Sequence, residues 1–316
     1  MISINKLNVS YTTDSGVARA ITDLDMEVHE GETMGLVGES GSGKSTLGLA
    51  MMRILPKNAQ ILSGSIHVNG TDLMSLSPGK MRRLRGETIS MVFQGAMNSL
   101  NPLMTIERQV SEPLIIHNMV QGNDALELGR EVLKKVGLKS AVWKQYPHQL
   151  SGGMKQRAVI AMAIITNPKI LIADEPTTGL DVVTQMAIVK LLKDTQRERN
   201  ITMIFISHDL PIVTKIADRI SIMYGGRLME SGTTPEIVRS PKHPYTAKLL
   251  ASVPDVKGDH LIAGIPGEPV SALRLPSGCL FRERCEIALK ECSSYNYEVG
   301  HQEKDHVAFC INTGAV

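Results

Sequence analysis

Aromatic side chains are scarce in this 316-residue chain: they fill 3% of positions, with one Trp, four Phe and six Tyr. A binding surface built on stacked aromatic rings is therefore not expected. Net charge is nearly absent as well, since 34 Lys and Arg against 32 Asp and Glu leave +2. A protein that holds nucleic acid mainly by charge would carry a basic excess, so no nucleic-acid partner is expected. Long hydrophobic runs are missing. The longest, Ala158 to Ile165, falls far short of the roughly 18 residues that cross a bilayer. The opening residues, MISINKLNVSYTTDSG, lack the basic-then-apolar pattern of a signal peptide. The expectation is a soluble, intracellular protein that works at a membrane only by docking onto something that spans it. Cysteine is confined to the tail, at Cys279, Cys285, Cys292 and Cys310, which marks that region as a module of its own.

What is present is a globular composition, 42% hydrophobic and 21% charged. The length suits two domains, or one large domain with an appendage. Continuous apolar runs at Thr33–Val37, Ile170–Ala173 and Thr202–Ile206 suit parallel strands buried on both faces. Helical patterns lie between them, for example Val182 to Arg199. This is the alternation of an α/β domain. Near-period-two spacing at Ile2, Ile4, Leu7 and Val9, at Leu24, Met26 and Val28, and at Ile66 and Val68 predicts an antiparallel sheet beside the parallel core. Gly225-Gly226 between two apolar runs reads as a hairpin. After Gly232, Pro235, Pro241, Pro244, Pro254, Pro266, Pro269 and Pro276 crowd together, so long regular elements are not expected there. The boundary is placed near residue 235, giving segments 1–235 and 236–316.

The segment Gly38-Glu39-Ser40-Gly41-Ser42-Gly43-Lys44-Ser45-Thr46 follows a strand and precedes a helical pattern, Leu47 to Leu55. This is the phosphate-binding P-loop pattern in its proper context. Its glycines let backbone N–H groups turn around phosphate oxygens, and the helix N-terminus adds its positive end. Lys44 would reach the β- and γ-phosphates, and the Ser45 hydroxyl would bind Mg²⁺. Strand Ile170–Ala173 ends in Asp174 and Glu175. Asp174 would enter the Mg²⁺ shell and Glu175 would orient or activate the attacking water. A second helix start, Leu150-Ser151-Gly152-Gly153-Met154-Lys155-Gln156-Arg157, reads as an N-cap Ser followed by two glycines, a further anion site. The simplest geometry is a pair of chains in which this helix end caps the nucleotide held by the partner's loop. An ordinary capped helix is the bland alternative.

In these segments the chain resembles the ATP-binding cassette family. Gly38–Thr46, Leu150–Arg157 and Ile170–Glu175 look like its Walker A, signature and Walker B motifs, in the family's order. The resemblance implies a P-loop nucleotide-binding domain with an antiparallel β subdomain and a helical subdomain. It implies roles for single residues: Gln94 at Mg²⁺ and water, His208 at the γ-phosphate, Tyr11 against adenine, and Asp181 with Ser151, Gly152 and Gly153 acting in trans. Gly95 and Gly179 depart from the residues common at those places, which puts loop conformation in doubt rather than chemistry. The segment from Gly95 to Pro113 is the candidate docking surface for a transmembrane partner.

The tail narrows the resemblance. Pro241-Lys242-His243-Pro244-Tyr245-Thr246, Ile265-Pro266-Gly267-Glu268-Pro269 and Gly278-Cys279-Leu280-Phe281-Arg282-Glu283-Arg284-Cys285 look like the end of ATPase subunits of oligopeptide and dipeptide importers. That subgroup also includes nickel and some oligosaccharide importers. The resemblance implies ATP and Mg²⁺ as ligands and a peripheral place on the cytoplasmic face of the inner membrane. It implies two transmembrane permease subunits, a second ATPase (a paralogue or a second copy) and an extracytoplasmic solute-binding protein as partners. The cysteine spacing, C-x₅-C-x₆-C-x₁₇-C, is loose for structural zinc, and a reducing cytosol disfavours disulfides. A [4Fe–4S] cluster is the leading expectation, as in some of these ATPases, with Zn²⁺ or no metal at all as the alternatives. His301 and His306 are candidate replacement ligands for zinc. Two other classes are disfavoured. A soluble cassette protein acting on nucleic acid would carry two cassettes or coiled-coil insertions. A GTPase would carry an N-K-x-D segment, which is absent.

Overall fold

The computed structural model describes residues 1–252, 264–297 and 300–316. Of the tail prolines, Pro254 lies outside the described residues. The chain divides into two compact units. The first comprises Met1–Val28, Glu32–Met74 and Ser207–Val316, and the second comprises His29–Gly31 and Ser75–Ile206.

The first unit begins with the expected antiparallel sheet. Strands β1 (Ile2–Thr13) and β2 (Gly16–Val28) set Ile2 against Val28, Ile4 against Met26 and Leu7 against Leu24. Each of these six side chains is at most 5% exposed, so the period-two pattern marks one buried face. Strand β3 (Thr33–Val37) is buried at every residue and runs directly into the glycine-rich loop and helix α1 (Lys44–Met51). The helix opens three residues before Leu47, on the loop's own lysine. It stops short of Leu55 because Arg53 takes a left-handed φ of 49° ahead of Pro56. Strands β4 (Ala59–Val68) and β5 (Thr71–Asp72) complete the antiparallel sheet, in the order β2-β1-β4-β5.

The second unit opens with helix α2 (Pro78–Glu87) and strand β6 (Ile89–Val92). Helices α3 (Ile106–Ile116), α4 (Gly122–Lys135), α5 (Ser140–Trp143) and α6 (Gly152–Ile164) follow. Arg130 of α4 reaches Glu107 of α3 at 2.8 Å, a charge-assisted bond on a carboxylate only 10% exposed. Strand β7 (Ile170–Asp174), helix α7 (Val182–Arg199) and strand β8 (Thr202–Ser207) complete the alternation. Strand β7 pairs in parallel with both β6 and β8.

The chain then returns to the first unit with α8 (Leu210–Ile216), β9 (Arg219–Tyr224) and β10 (Arg227–Thr233). Strand β9 pairs in parallel with β3 and forms the expected hairpin with β10 around Gly225-Gly226. Among the described residues the tail includes the short α-helices α9 (Thr234–Arg239) and α10 (Pro244–Ala251) and a small hairpin, β11 (His301–Glu303) and β12 (His306–Ala308). The prolines start these helices rather than prevent them: Pro235 and Pro244 stand in first turns, where no N–H is needed.

A buried carboxylate fastens the tail to β10, to which β12 is paired. Glu230 is fully buried and accepts the backbone N–H groups of Lys242 (2.7 Å) and His243 (3.0 Å). His306 Nε2 lies 2.6 Å from Oε1, the oxygen that also accepts Lys242 N–H. Replacing Glu230 with Ala takes the partner from two backbone N–H groups and from the buried His306 ring. The expected cost is about 3–5 kcal/mol. Thermal unfolding monitored by circular dichroism should show a midpoint lower by about 10 °C, and an unchanged midpoint would refute the role.

Candidate functional site

In the first unit the glycine-rich loop wraps its own lysine. Lys44 is 5% exposed, and its Nζ donates to the carbonyls of Gly38 (2.7 Å) and Glu39 (2.8 Å) and to Ser42 Oγ (3.1 Å). Three acceptors around one ammonium fix its direction inside the loop. A side chain at Gly38 would place its Cβ 2.1 Å from the Met223 carbonyl oxygen and 2.7 Å from Ser42 Oγ, so only glycine fits. Ser40 and Gly41 are exposed at the loop's tip, Gly43 caps α1, and Ser45 and Thr46 lie in its first turn. The Tyr11 hydroxyl lies 3.2 Å from Thr46 Oγ1, which brings the expected adenine-stacking ring to the loop. His208 is exposed just beyond β8, ahead of Asp209, which caps α8 by accepting Ile212 N–H.

Glu39, second in the loop, is engaged by the tail. Its carboxylate is held by Arg284 of the tail through two bonds, Nη1 to Oε2 at 2.6 Å and Nη2 to Oε1 at 2.9 Å. Its backbone N–H donates to the hydroxyl of Tyr245 at 3.0 Å. Arg284 and Tyr245 escaped notice in the sequence because the bond joins positions 245 residues apart and no periodicity links them. The one available signal was their place in the two tail segments quoted above.

In the second unit Asp174 ends strand β7 and is 3% exposed. The next residue, Glu175, is held at φ 45°, a left-handed conformation uncommon for a residue with a side chain. Its N–H donates to the Ile206 carbonyl at 2.9 Å, which secures the turn. Glu175 Oε2 accepts from Gln94 Nε2 at 3.1 Å and from Thr178 Oγ1 at 2.9 Å. Gln94 and Glu175 are thus brought together, and Thr178 is a partner the sequence did not single out in that role. Both loop departures have conformational reasons. Gly95 takes φ 68° and Gly179 takes φ 78°, values that favour glycine over the residues expected there.

The signature segment and the start of α7 also meet. Ser151 caps α6, its Oγ accepting Met154 N–H at 3.4 Å. A side chain at Gly153 would approach Thr184 Cγ2 to 2.5 Å, so α6 and α7 touch there through the missing Cβ. Gly152 is looser, 3.5 Å from Leu180 Cδ2. Asp181 caps α7, accepting Thr184 N–H at 2.9 Å and Thr184 Oγ1 at 2.7 Å. The hydroxyl bond, then the amide, holds its carboxyl below the usual range. Beyond Gln94, Leu103 is 85% exposed on a loop pinned by buried Gln109, which bonds Asn101 N–H at 2.7 Å and the carbonyls of Asn101 and Met104 at 3.0 and 2.9 Å.

The four cysteines are free thiols in one neighbourhood. Burial pushes the Cys310 thiol up to about 11, and the nearby thiols of Cys279, Cys285 and Cys292 push in the same direction. Burial likewise raises Cys279 and Cys285. As arranged, they do not form a ligand set: among the described residues no group of three or more His, Cys, Asp and Glu is placed to hold a metal ion. His306 is engaged with Glu230, and His301 is exposed on β11. The donors expected for Mg²⁺, by contrast, suit that cation: the Ser45 hydroxyl, the Gln94 amide oxygen and the Asp174 carboxylate are all hard oxygen ligands. Among the described residues no helix is long and apolar enough to cross a membrane.

Comparison with known proteins matches the chain to two family models. Residues 21–178 match the ABC transporter model, and residues 229–292 match the oligopeptide/dipeptide transporter, C-terminal region. The oligopeptide transport ATP-binding protein OppD of Escherichia coli K12 is 43% identical, over 93% of this chain and 88% of its own. Among solved structures, the ATP-binding cassette MJ0796, a dimer in a post-hydrolysis state bound to ADP and Pi, aligns with a TM-score of 0.67 at 28% identity. That alignment covers 74% of this chain and 99% of that one. The cbiO1 protein of Clostridium perfringens, part of the ABC transporter complex cbiONQ, aligns at 0.65 and 32% identity, over 75% and 89% of the two chains.

Proposed function

The chain belongs to the ABC transporter family, and from that premise we propose that it is the ATP-hydrolysing subunit of an importer of short peptides. The observation that carries this reading is the pairing, on one chain, of a lysine-filled phosphate loop with a tail of the oligopeptide/dipeptide transporter kind. OppD, an oligopeptide transport ATP-binding protein, supports the same substrate class.

The residues suggest a division of labour. Backbone N–H groups of residues 38–46, except that of Glu39, which Tyr245 takes, and the Lys44 ammonium bind the triphosphate. Ser45, Gln94 and Asp174 are the residues that would hold Mg²⁺, and the ion would supply positive charge to neutralise what develops on the phosphate. Tyr11 stacks on adenine. Glu175 accepts the proton of the attacking water, its carboxylate aimed by Gln94 and Thr178. His208 contacts the γ-phosphate. Ser151, Gly152, Gly153 and Asp181 serve the nucleotide of a second ATPase, a paralogue or another copy, and closure of the pair drives the permease. Leu103 and its neighbours, from Gly95 to Pro113, supply an apolar contact for a permease helix. Two permease subunits and an extracytoplasmic solute-binding protein complete the complex, which places this chain peripherally on the cytoplasmic face of the inner membrane. Segments 1–235 and 236–316 act as cassette and tail module. No step depends on the cysteines. The expected [4Fe–4S] cluster or Zn²⁺ would require the four thiols to rearrange.

The test is affinity purification from native membranes, with co-purifying chains identified. The expected result is two multi-span subunits, a second ATPase and a solute-binding protein whose bound ligand is a peptide. Recovery of soluble nucleic-acid or ribosomal proteins alone would overturn the transport reading. Iron, zinc and acid-labile sulfide assays on the same preparation decide the metal.

A further inference from the structure

A loop that must attract a triphosphate is a poor place for a carboxylate, whose charge repels the ligand. Glu39 nevertheless stands second in the phosphate loop, its side chain 23% exposed. The structure answers that charge from the tail. Arg284 closes on the carboxylate as a fork, at 2.6 and 2.9 Å, with its own side chain only 5% exposed. Two parallel bonds to a carboxylate suit the planar guanidinium and no other side chain.

The remaining donors of Arg284 are also used. Nε donates to the Pro266 carbonyl at 2.9 Å, Nη2 to the Ile265 carbonyl at 3.0 Å and Nη1 to the Tyr224 hydroxyl at 3.3 Å. The guanidinium therefore has one position. Beneath it lies a packed set of rings: Tyr224, Tyr245 and Phe281 are each at most 1% exposed, with centroids 4.8 to 5.5 Å apart. In a chain with so few aromatics, three are spent on this contact. Tyr245 adds a second hold on the same residue, accepting the Glu39 N–H. Side chain and backbone of one loop residue are thus both bound by the tail.

We propose that Arg284 and Tyr245 are positioning residues of the ATP site: the tail neutralises Glu39 and fixes the entry of the phosphate loop, so ATP affinity depends on the C-terminal module. This rests on reading residues 38–46 as the ATP cradle. A stabilising contact alone and an electrostatic positioning role differ in one respect. If Arg284 acts by cancelling Glu39, removing the carboxylate should cure the loss of the arginine. If Arg284 only holds the fold, it should not.

The experiment measures ATP affinity and steady-state hydrolysis in the full chain and in Glu39→Gln, Arg284→Ala and the double variant, with Lys44→Ala as reference. Arg284→Ala should raise Kd and KM for ATP about tenfold and leave kcat within about threefold. Glu39→Gln/Arg284→Ala should regain most of that affinity, and Arg284→Lys should fall between. Wild-type affinity in Arg284→Ala would overturn the proposal, as would a double variant as weak as Arg284→Ala. Should Arg284→Ala fail to fold, Arg284→Lys with and without Glu39→Gln carries the same comparison. Failure of the cradle reading shows separately: a wild-type chain that does not bind ATP, or a Lys44→Ala chain that binds it equally well, overturns both.

Discussion

Replacing Glu175 with glutamine is expected to leave ATP bound and to slow steady-state hydrolysis about a thousandfold. The substitution keeps the side chain's length and one acceptor oxygen. The bonds from Gln94 and Thr178 that aim the carboxylate can therefore persist. What is lost is the ability to take a proton from water. Position and chemistry are separated in this variant, because the backbone at Glu175 is fixed independently by its φ of 45° and by the bond to Ile206. Binding of a fluorescent ATP analogue should be unchanged, while phosphate release should fall to near background. The paired, ATP-bound state should accumulate and be visible as a doubled mass. Wild-type turnover in this variant would remove Glu175 from the chemistry.

Replacing Lys44 with alanine should act on binding itself. The ammonium lies inside the loop's own turn, where it meets three protein acceptors. A phosphate oxygen competing for those donors gains a charge-assisted bond, about 1.5–3 kcal/mol each. Losing one to two of them weakens Kd by on the order of a hundredfold. The carbonyls of Gly38 and Glu39 also lose their donor, so loop order suffers with affinity. Titration calorimetry at graded ATP separates this variant from Glu175→Gln: here the isotherm shifts, there only the rate does. An unchanged isotherm would contradict the phosphate-cradle role.

Much of the frame was legible because its signals are local. Strand β3 and helix α7 fall where apolar runs and helical period place them, since a doubly buried strand leaves an unbroken hydrophobic run. The cradle is contiguous in sequence, so spacing alone brings Lys44 beside Gly38. Other features join distant positions and leave no local trace. The Gln94–Glu175 bond spans 81 residues and the Arg284–Glu39 pair spans 245. His306 shows how composition misleads: near four cysteines it reads as a spare ligand, yet it is buried against Glu230. The tail prolines do keep the helices short, and they also open them, because a proline at a first turn needs no N–H.

The central claim is that ATP hydrolysis at this chain drives peptide import. The direct measurement is uptake of a labelled peptide into vesicles carrying the complete complex, with ATP on the side that holds this chain and phosphate release followed in parallel. The account predicts that peptide accumulates only with ATP, that phosphate is released as it does, and that both stop in Glu175→Gln. Peptide accumulation that persists in Glu175→Gln, or ATP hydrolysis by the intact complex with no peptide movement, would contradict it.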